Sequence, residues 1–136
     1  MVEKEFIANV NELPNVISFT QRELEKFDFS FKIISGFNLV VEELFVNIAN
    51  YAYVDKKDGK CKITIDYNKE DQKVILSLED DGIQFNPLER EEPNINLSVE
   101  DRPIGGLGIL LVKKNMDNIE YRYENNKNIL ILSKNV

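Results

Sequence analysis

The sequence contains no histidine, no tryptophan and a single cysteine, Cys61, among its 136 residues. Without histidine the chain cannot form a Ser-His-Asp triad, a histidine metal site or a phosphohistidine relay. One cysteine cannot form an internal disulfide, and the shortage of cysteine and histidine ligands argues against a structural zinc site. Scarce cysteine fits a reducing cytosol, so we expect a cytoplasmic location.

Long apolar runs and an excess of positive charge are also missing. No apolar run approaches the ~18 residues that a membrane-spanning helix needs, and residues 1–6 lack the basic-then-apolar pattern of a signal sequence. The formal net charge of −7 argues against a nucleic-acid partner. With 43% hydrophobic and 30% charged residues, the composition is typical of one globular domain with a two-layer core. We therefore expect no membrane insertion and no direct nucleic-acid binding.

Glycine is scarce but concentrated. Three of the six glycines are Gly105, Gly106 and Gly108, and an apolar run at helical spacing follows them directly. Closely spaced glycines let the backbone approach a ligand, and the helix N-terminus behind them offers free N–H groups and a positive dipole end. This combination predicts a phosphate site, with a plain glycine-rich turn as the alternative. The Walker and Rossmann phosphate motifs are both absent from the sequence, so the site needs partners elsewhere.

Two helices are predicted in the N-terminal half, over residues 12–27 and 31–53. In the second helix, Glu43, Asn47 and Asn50 stand at i, i+4 and i+7, so they share one stripe of the helix surface. This polar stripe borders an apolar core stripe instead of opposing it. A carboxylate and two amides beside the core are costly unless they have partners, which favours a functional site over a solvated face.

A hairpin of two strands is predicted over residues 61–67 and 73–80, because apolar and polar residues alternate there. Asp80 falls in phase with the apolar residues of the second strand, whereas Asp81 falls on the opposite face. Asp80 is therefore the carboxylate that points toward the helix layer, where it needs hydrogen-bond donors. The alternative is an aspartate that caps the turn at Gly82.

The remaining pattern adds strands at 3–10, 118–123 and 128–133, a helix at 107–116 and a long aperiodic loop at 83–103. Loops of this length in a compact domain are often functional lids, and we expect this one to cover a ligand. The order is β-α-α-β-β-loop-α-β-β. It predicts an α+β fold, a two-layer α/β sandwich in which three helices cover one face of a mixed, mostly antiparallel sheet.

Three motifs resemble, in order and spacing, the boxes of the GHKL ATPases, the superfamily of gyrase, Hsp90, histidine kinases and MutL. Residues 43–47 (ELFVN) resemble its E-x-x-x-N box, residues 80–82 (DDG) its D-x-G box, and residues 105–108 (GGLG) its second glycine box. Residues 80–87 and 105–113 are similar to those of the anti-sigma-factor serine kinases. The resemblance covers nearly the whole chain. It implies a single histidine-kinase-like ATPase domain over residues 1–136, with the Bergerat-type ATP-binding fold.

The resemblance also implies ATP and Mg²⁺ as cofactors and assigns roles to individual residues. Asn47 would ligate Mg²⁺, and Glu43 would be the general base. Asp80 would accept a hydrogen bond from the adenine amino group, with Gly82 giving the base room. Asn50 stands where these kinases often have histidine, which bears on the kinase rate more than on nucleotide binding. The residues that would cradle the phosphates are Gly105, Gly106, Leu107 and Gly108.

The implied activity is that of a serine-protein kinase of the anti-sigma type, which phosphorylates an anti-anti-sigma STAS-domain protein. Sequestration of a sigma factor and formation of a homodimer are further expectations from the resemblance. Two alternatives stay open: a nucleotide-binding regulatory module that binds a partner without phosphotransfer, and an interaction domain with decayed boxes. Glu43 favours the kinase, and the sequence does not identify the target protein.

Overall fold

A computed structural model describes residues 1–53, 58–89 and 106–136. The helices are α1 (Leu13–Glu25), α2 (Phe31–Asn47) and α3 (Gly106–Asn115). The strands are β1 (Val2–Ile7), β2 (Lys60–Asn68), β3 (Lys73–Asp80), β4 (Asn118–Glu124) and β5 (Lys127–Asn135). Short 3₁₀ turns form at Val10–Glu12 and Pro87–Glu89, and a π-helical turn, Ile48–Ala52, directly follows α2.

The strands form one five-stranded sheet in the order β1-β2-β3-β5-β4. All four pairings within the described part of the sheet are antiparallel. The prediction of a two-layer α+β sandwich is confirmed. The sequence predicts a mixed, mostly antiparallel sheet, whereas every strand pairing that the structure describes is antiparallel. Two of the four pairings, β2–β3 and β4–β5, are hairpins of consecutive strands. In the β4–β5 hairpin, Asn125 and Asn126 supply the positive φ angles of 54° and 62° that a tight turn needs.

The core lies between one face of the sheet and the helices. Buried and half-buried residues alternate along β2, β3 and β5, as expected for strands covered on one face. The apolar stripe predicted for α2 supplies the helix side of this core, where Phe37, Val41 and Phe45 are fully buried. The sheet and the amphipathic helices thus bury their apolar faces against each other.

The start of the first helix differs from the prediction. The sequence predicts a helix start at residue 12, whereas in the structure a 3₁₀ turn comes first and is capped by Asn9, whose side chain accepts a hydrogen bond from the Asn11 N–H. The helix therefore begins with a 3₁₀ turn before α1. At α2 the cap is Ser30, whose side chain accepts from the Ile33 N–H.

The π-helical turn after α2 brings that helix to the end of β3. The Ala52 carbonyl at its end accepts a hydrogen bond from the Ile83 N–H at 3.0 Å. Gly82 lies so close that a Cβ there would overlap the Ala52 carbonyl oxygen. Single π turns are often found at functional sites. This junction places the end of α2 next to the end of β3.

Part of the loop predicted at 83–103 lies outside the described residues, which resume at Gly106 after Glu89. The expectation of a lid falls largely on that part. Within the described segment, Leu88 donates its N–H to the Asn86 side chain at 2.9 Å, and Pro87 is buried. No helix of the described residues is long and apolar enough to cross a membrane.

Candidate functional site

A narrow pocket opens between α2, the ends of β3 and β5, and the segment that follows β3. Its walls are mainly apolar, and Asn47, Asp80 and Asn128 are its polar side chains. The cavity volume is about 40 Å³, and one buried water needs roughly 10–15 Å³ of such space. The pocket therefore has room for a few waters, and a purine base would require its walls to part. The segment after β3 contributes Ile83 and Phe85 to one wall of the pocket.

Asp80 is the last residue of β3 and only 6% exposed, so its predicted inward orientation is confirmed. Its Oδ1 accepts hydrogen bonds from the Gly82 N–H and from the Asn128 side chain, both at 3.0 Å. Within the described ranges no group donates to Oδ2. Burial raises the pKa of the Asp80 carboxyl, and the two hydrogen bonds act in the opposite direction. Asp80 is thus a held carboxylate with one oxygen left to accept from a ligand.

Asn128 holds Asp80 in place and was missed by the sequence analysis. It faces Asp80 directly across β3 and β5, and its amide nitrogen donates to Asp80 and to the Ile83 carbonyl at 2.9 Å. Its oxygen accepts from the Tyr121 hydroxyl at 2.6 Å and from the Phe85 N–H at 3.0 Å. These four bonds use the donors and acceptors of the amide fully, so its orientation is fixed by its neighbours.

The signal for Asn128 was present in the sequence. It stands in phase with the buried leucines of β5, just as Asp80 stands in phase with those of β3. A polar residue at a core position of a strand indicates a buried partner.

Asp81 points away from the core and is held by Tyr53, just after the π-helical turn. The Tyr53 hydroxyl donates to Asp81 Oδ1 at 2.7 Å and accepts from the Asp81 N–H at 3.0 Å. Burial, followed by the hydrogen bond to Asp81, raises the pKa of the Tyr53 phenol well above its usual value. The neutral phenol therefore serves as a fixed support for the turn that carries Asp80.

Glu43 and Asn47 meet on consecutive turns of α2. The Asn47 side-chain nitrogen donates to Glu43 Oε1 at 3.4 Å, a long hydrogen bond of the kind that catalytic pairs often show without substrate. This orientation leaves Asn47 Oδ1 without a donor in the described part of the chain. Asn47 also lines the pocket that holds Asp80. The structure thus brings together three of the predicted site residues.

The second glycine box lies partly outside the described residues. Gly105 lies outside them, and Gly106 and Leu107 begin α3. Gly108 packs against Glu43 so closely that a Cβ at position 108 would overlap the Glu43 carboxylate. The N-terminal turn of α3 therefore lies beside the Glu43–Asn47 pair, as a phosphate site at that turn requires.

Asn50, a predicted site residue, does not line the pocket. It lies exposed in the π-helical turn, and Tyr51 lines the pocket instead. The π-helical turn explains the difference, because its i→i+5 hydrogen bonds make it wider than an α-helical turn and shift the phase of the stripe after Asn47.

Asn47 is the residue predicted to ligate a magnesium ion. No group of three or more His, Cys, Asp or Glu side chains that could hold a metal occurs among the described residues. Mg²⁺ usually keeps several waters and binds through one or two protein oxygens together with substrate phosphates. The free Asn47 Oδ1 beside the glycine turn fits that pattern.

The fold and the site together define a nucleotide-binding domain of the GHKL type. Residues 6–134 match the family described as the histidine kinase-like ATPase domain, so the chain belongs to that family. The match confirms the superfamily resemblance seen in the three motifs.

Relatives of this chain include proteins named serine-protein kinase RsbW. The protein from Listeria innocua is 25% identical over 107 residues, which cover 76% of this chain and 67% of the relative. The protein from Bacillus cereus strain ATCC 10987 is 27% identical over 110 residues, which cover 78% and 67%. These names support membership of the anti-sigma serine kinase group within the family.

Solved structures share the fold at low sequence identity. The RsbU and RsbW domains of Rv1364c from Mycobacterium tuberculosis align with a TM-score of 0.64 at 12% identity. That alignment covers 98% of this chain, which spans about a third (32%) of the two-domain structure. The catalytic domain of histidine kinase ThkA aligns with a TM-score of 0.55 at 19% identity, over 99% of this chain and 96% of that domain. Both likenesses support the fold alone.

Proposed function

We propose that this protein is an ATP- and Mg²⁺-dependent serine-protein kinase of the anti-sigma regulatory type. The observation that carries the proposal is one pocket lined by Asp80 and Asn47, with the Glu43 carboxylate hydrogen-bonded to Asn47 at its edge. The site thus holds, from one end to the other, a carboxylate to bind the adenine (Asp80), an amide to ligate the metal (Asn47) and a carboxylate to accept the proton (Glu43). The relatives named serine-protein kinase support the choice of a serine hydroxyl as acceptor.

The nucleotide base is held at the sheet end of the pocket. Asp80 Oδ2 accepts from the adenine amino group, while Asn128 and the Gly82 N–H keep the carboxylate in place through Oδ1. The apolar walls cover the faces of the base, in the manner of ligand pockets generally. Ile83 and Phe85 move outward to admit the base, since the pocket is narrow without it.

The phosphates are held at the helix end. The backbone N–H groups at the start of α3 would bind the phosphates, and the motif assigns Gly105, Gly106, Leu107 and Gly108 to that role. Asn47 Oδ1 ligates Mg²⁺, which when bound neutralises charge on the phosphate oxygens. The contribution of Asn50 is small because the side chain is exposed.

Glu43 acts on the acceptor hydroxyl. It takes the proton of a serine hydroxyl as the serine oxygen forms a bond to the γ-phosphorus and the bond to the bridging oxygen of ADP breaks. The hydrogen bond from Asn47 fixes which side of the carboxylate faces the site. The protein that supplies the serine is a STAS-domain anti-anti-sigma protein. Sequestration of a sigma factor and assembly as a homodimer belong to the same proposal.

Substitution of Glu43 and Asn47 separates chemistry from binding. Glu43→Ala should slow phosphotransfer by roughly 10²–10⁴-fold while Mg-ADP affinity stays near that of the wild type, since a base contributes chiefly in the transition state. Asn47→Ala should weaken Mg-dependent nucleotide binding as well as phosphotransfer. Calorimetry gives the affinity, and single-turnover transfer of labelled γ-phosphate to the cognate protein gives the rate.

Glu42→Ala is the matched control, because Glu42 neighbours Glu43 on α2 but is exposed. It should behave like the wild type in both assays. A Glu43→Ala protein that transfers phosphate at the wild-type rate would remove Glu43 from the chemistry. If the wild type binds Mg-ATP but transfers no phosphate to any candidate protein, the result would favour a regulatory module that binds nucleotide over a kinase.

A further inference from the structure

Each helix of the α2–α3 contact contributes a glycine that faces a polar side chain of the other. Gly36 of α2 faces Asn115 of α3, and a Cβ at Gly36 would lie 3.2 Å from Asn115 Oδ1. Gly108 of α3 faces Glu43 of α2, and a Cβ at Gly108 would overlap both Oε1 and Cδ of Glu43. The Glu43 carboxylate therefore fills the space that a side chain at position 108 would occupy.

The overlap at Gly108 involves the Glu43 side chain from Cγ outward, and all three nearest atoms belong to that side chain and none to the backbone. A methyl group there can push the Glu43 carboxylate aside by a change of side-chain torsion, without displacing either helix backbone. The fold would tolerate that change readily. The carboxylate, however, would leave its position beside Asn47, to which it is now joined by a 3.4 Å hydrogen bond.

We infer that Gly108 is a positioning residue for Glu43: the missing side chain at 108 lets the carboxylate stand beside Asn47. The inference rests on the proposed role of Glu43 as general base. This function depends on the absence of a Cβ and not on the backbone N–H. An alanine at position 108 keeps the N–H and adds only the Cβ, so it tests the two roles separately. The glycine box would then position the base that deprotonates the serine hydroxyl, in addition to binding the phosphates.

Position matters for a base more than for most groups. Proton transfer requires the base within about 2.6–3.2 Å of the hydroxyl oxygen, and a misplacement of about 1 Å can cost 10²-fold in rate. Displacement of Glu43 by a methyl group is of that size. A Gly108→Ala protein should therefore retain nucleotide and lose turnover.

The experiment compares Gly108→Ala with Gly36→Ala, the same substitution on the facing helix. Gly36→Ala is the control because Gly36 precedes Glu43 by about two turns of α2, and its neighbour Asn115 follows Gly108 by about two turns of α3. We expect Gly108→Ala to bind Mg-ADP within about threefold of the wild type and to unfold cooperatively, while phosphotransfer at saturating Mg-ATP falls by roughly 10²-fold or more. Gly36→Ala should match the wild type in affinity and rate.

Two results would overturn the inference. One is wild-type turnover in Gly108→Ala. The other is a parallel loss of Mg-ADP affinity and rate, which would make Gly108 a phosphate contact only.

A crystal structure of nucleotide-free Gly108→Ala separates this inference from the proposed kinase activity. We expect the Glu43 carboxylate to have left Asn47 in that structure, and an unmoved carboxylate would contradict the inference. This result does not depend on phosphotransfer. If the wild type transfers no phosphate, the proposed function fails, while the displacement of Glu43 still decides whether Gly108 positions it.

Discussion

At the scale of single residues, the site depends on how Asp80 divides its two oxygens. Oδ1 is used by the protein, through the Gly82 N–H and Asn128, and Oδ2 is left for a ligand. A carboxylate accepts hydrogen bonds more strongly when ionised. Its protonation state therefore links nucleotide binding to pH.

Nucleotide binding should weaken as the pH falls through the raised pKa of Asp80. Calorimetric titration with Mg-ADP at a series of acidic pH values measures how the affinity depends on pH. Asp80→Asn should lose roughly 1–3 kcal/mol of binding at neutral pH, the scale of a hydrogen bond to a charged group. It should also lose the pH dependence that Asp80 causes. Equal affinities for wild type and variant would remove Asp80 from the site.

The same pKa shift acts on folding with the opposite sign. Because the folded-state pKa of Asp80 lies above the unfolded value of 3.8, the folded protein binds the proton more readily in that window. The contribution of Asp80 to stability is therefore present below the unfolded pKa and is lost as the pH rises through the folded pKa. Ionised Asp80 at neutral pH costs stability and serves binding, as expected for a functional residue.

Much of this residue-level account was available from the sequence. The period-2 alternation of β3 was sufficient to turn Asp80 inward and Asp81 outward. Asn128 has the same phase on β5, yet its pairing with Asp80 depends on strand register. That register joins strands separated along the chain by α3 and β4, and no local pattern encodes it. The position of Asn50 was also beyond sequence reasoning, because an α-helical period does not foresee a π turn.

At the scale of elements, the junction of the π-helical turn with the end of β3 sets the geometry of the pocket. Gly82 lets the two backbones approach, since a Cβ there would overlap the Ala52 carbonyl oxygen and lie 2.6 Å from the Ala52 Cβ. The resemblance assigned Gly82 to making room for the base. The structure shows in addition that Gly82 makes room for the π-helical turn that follows α2.

Gly82→Ala should lower the free energy of unfolding by about 1–3 kcal/mol, because relief of the overlap requires a backbone shift. Thermal unfolding followed by circular dichroism measures the effect. Gly36→Ala serves as the comparison, since its nearest neighbour is a side-chain end at 3.2 Å. Equal free energies of unfolding for the two variants would mean that the backbone at this junction can shift without loss of stability.

Most elements were predictable from periodicity alone. The strand predicted at 73–80 has the bounds of β3, and the helix predicted at 31–53 corresponds to α2 and the π-helical turn together. The order of the strands in the sheet was not predictable, since β5 lies between β3 and β4. Sheet order follows from which apolar faces pack together, which is a property of the whole core.

At the scale of the whole molecule, the candidate site draws on elements from all parts of the chain. α2 supplies Glu43 and Asn47, β3 supplies Asp80, β5 supplies Asn128 and α3 supplies Gly108. An acidic protein with a net charge of −7 must bind the anionic phosphates of ATP through local features. A helix N-terminus with glycines and a bound cation are the features suited to that task.

The central claim, that this domain passes phosphate from ATP to a serine of a partner protein, has one direct test. The wild-type protein is mixed with Mg-ATP labelled at the γ-phosphate and with purified STAS-domain proteins from the same genome. Protein mass spectrometry then locates the label. We expect one of these proteins to acquire one phosphate on a serine, and Glu43→Ala to abolish most of the transfer. No label on any of them, under conditions where calorimetry shows Mg-ADP bound, would contradict the account.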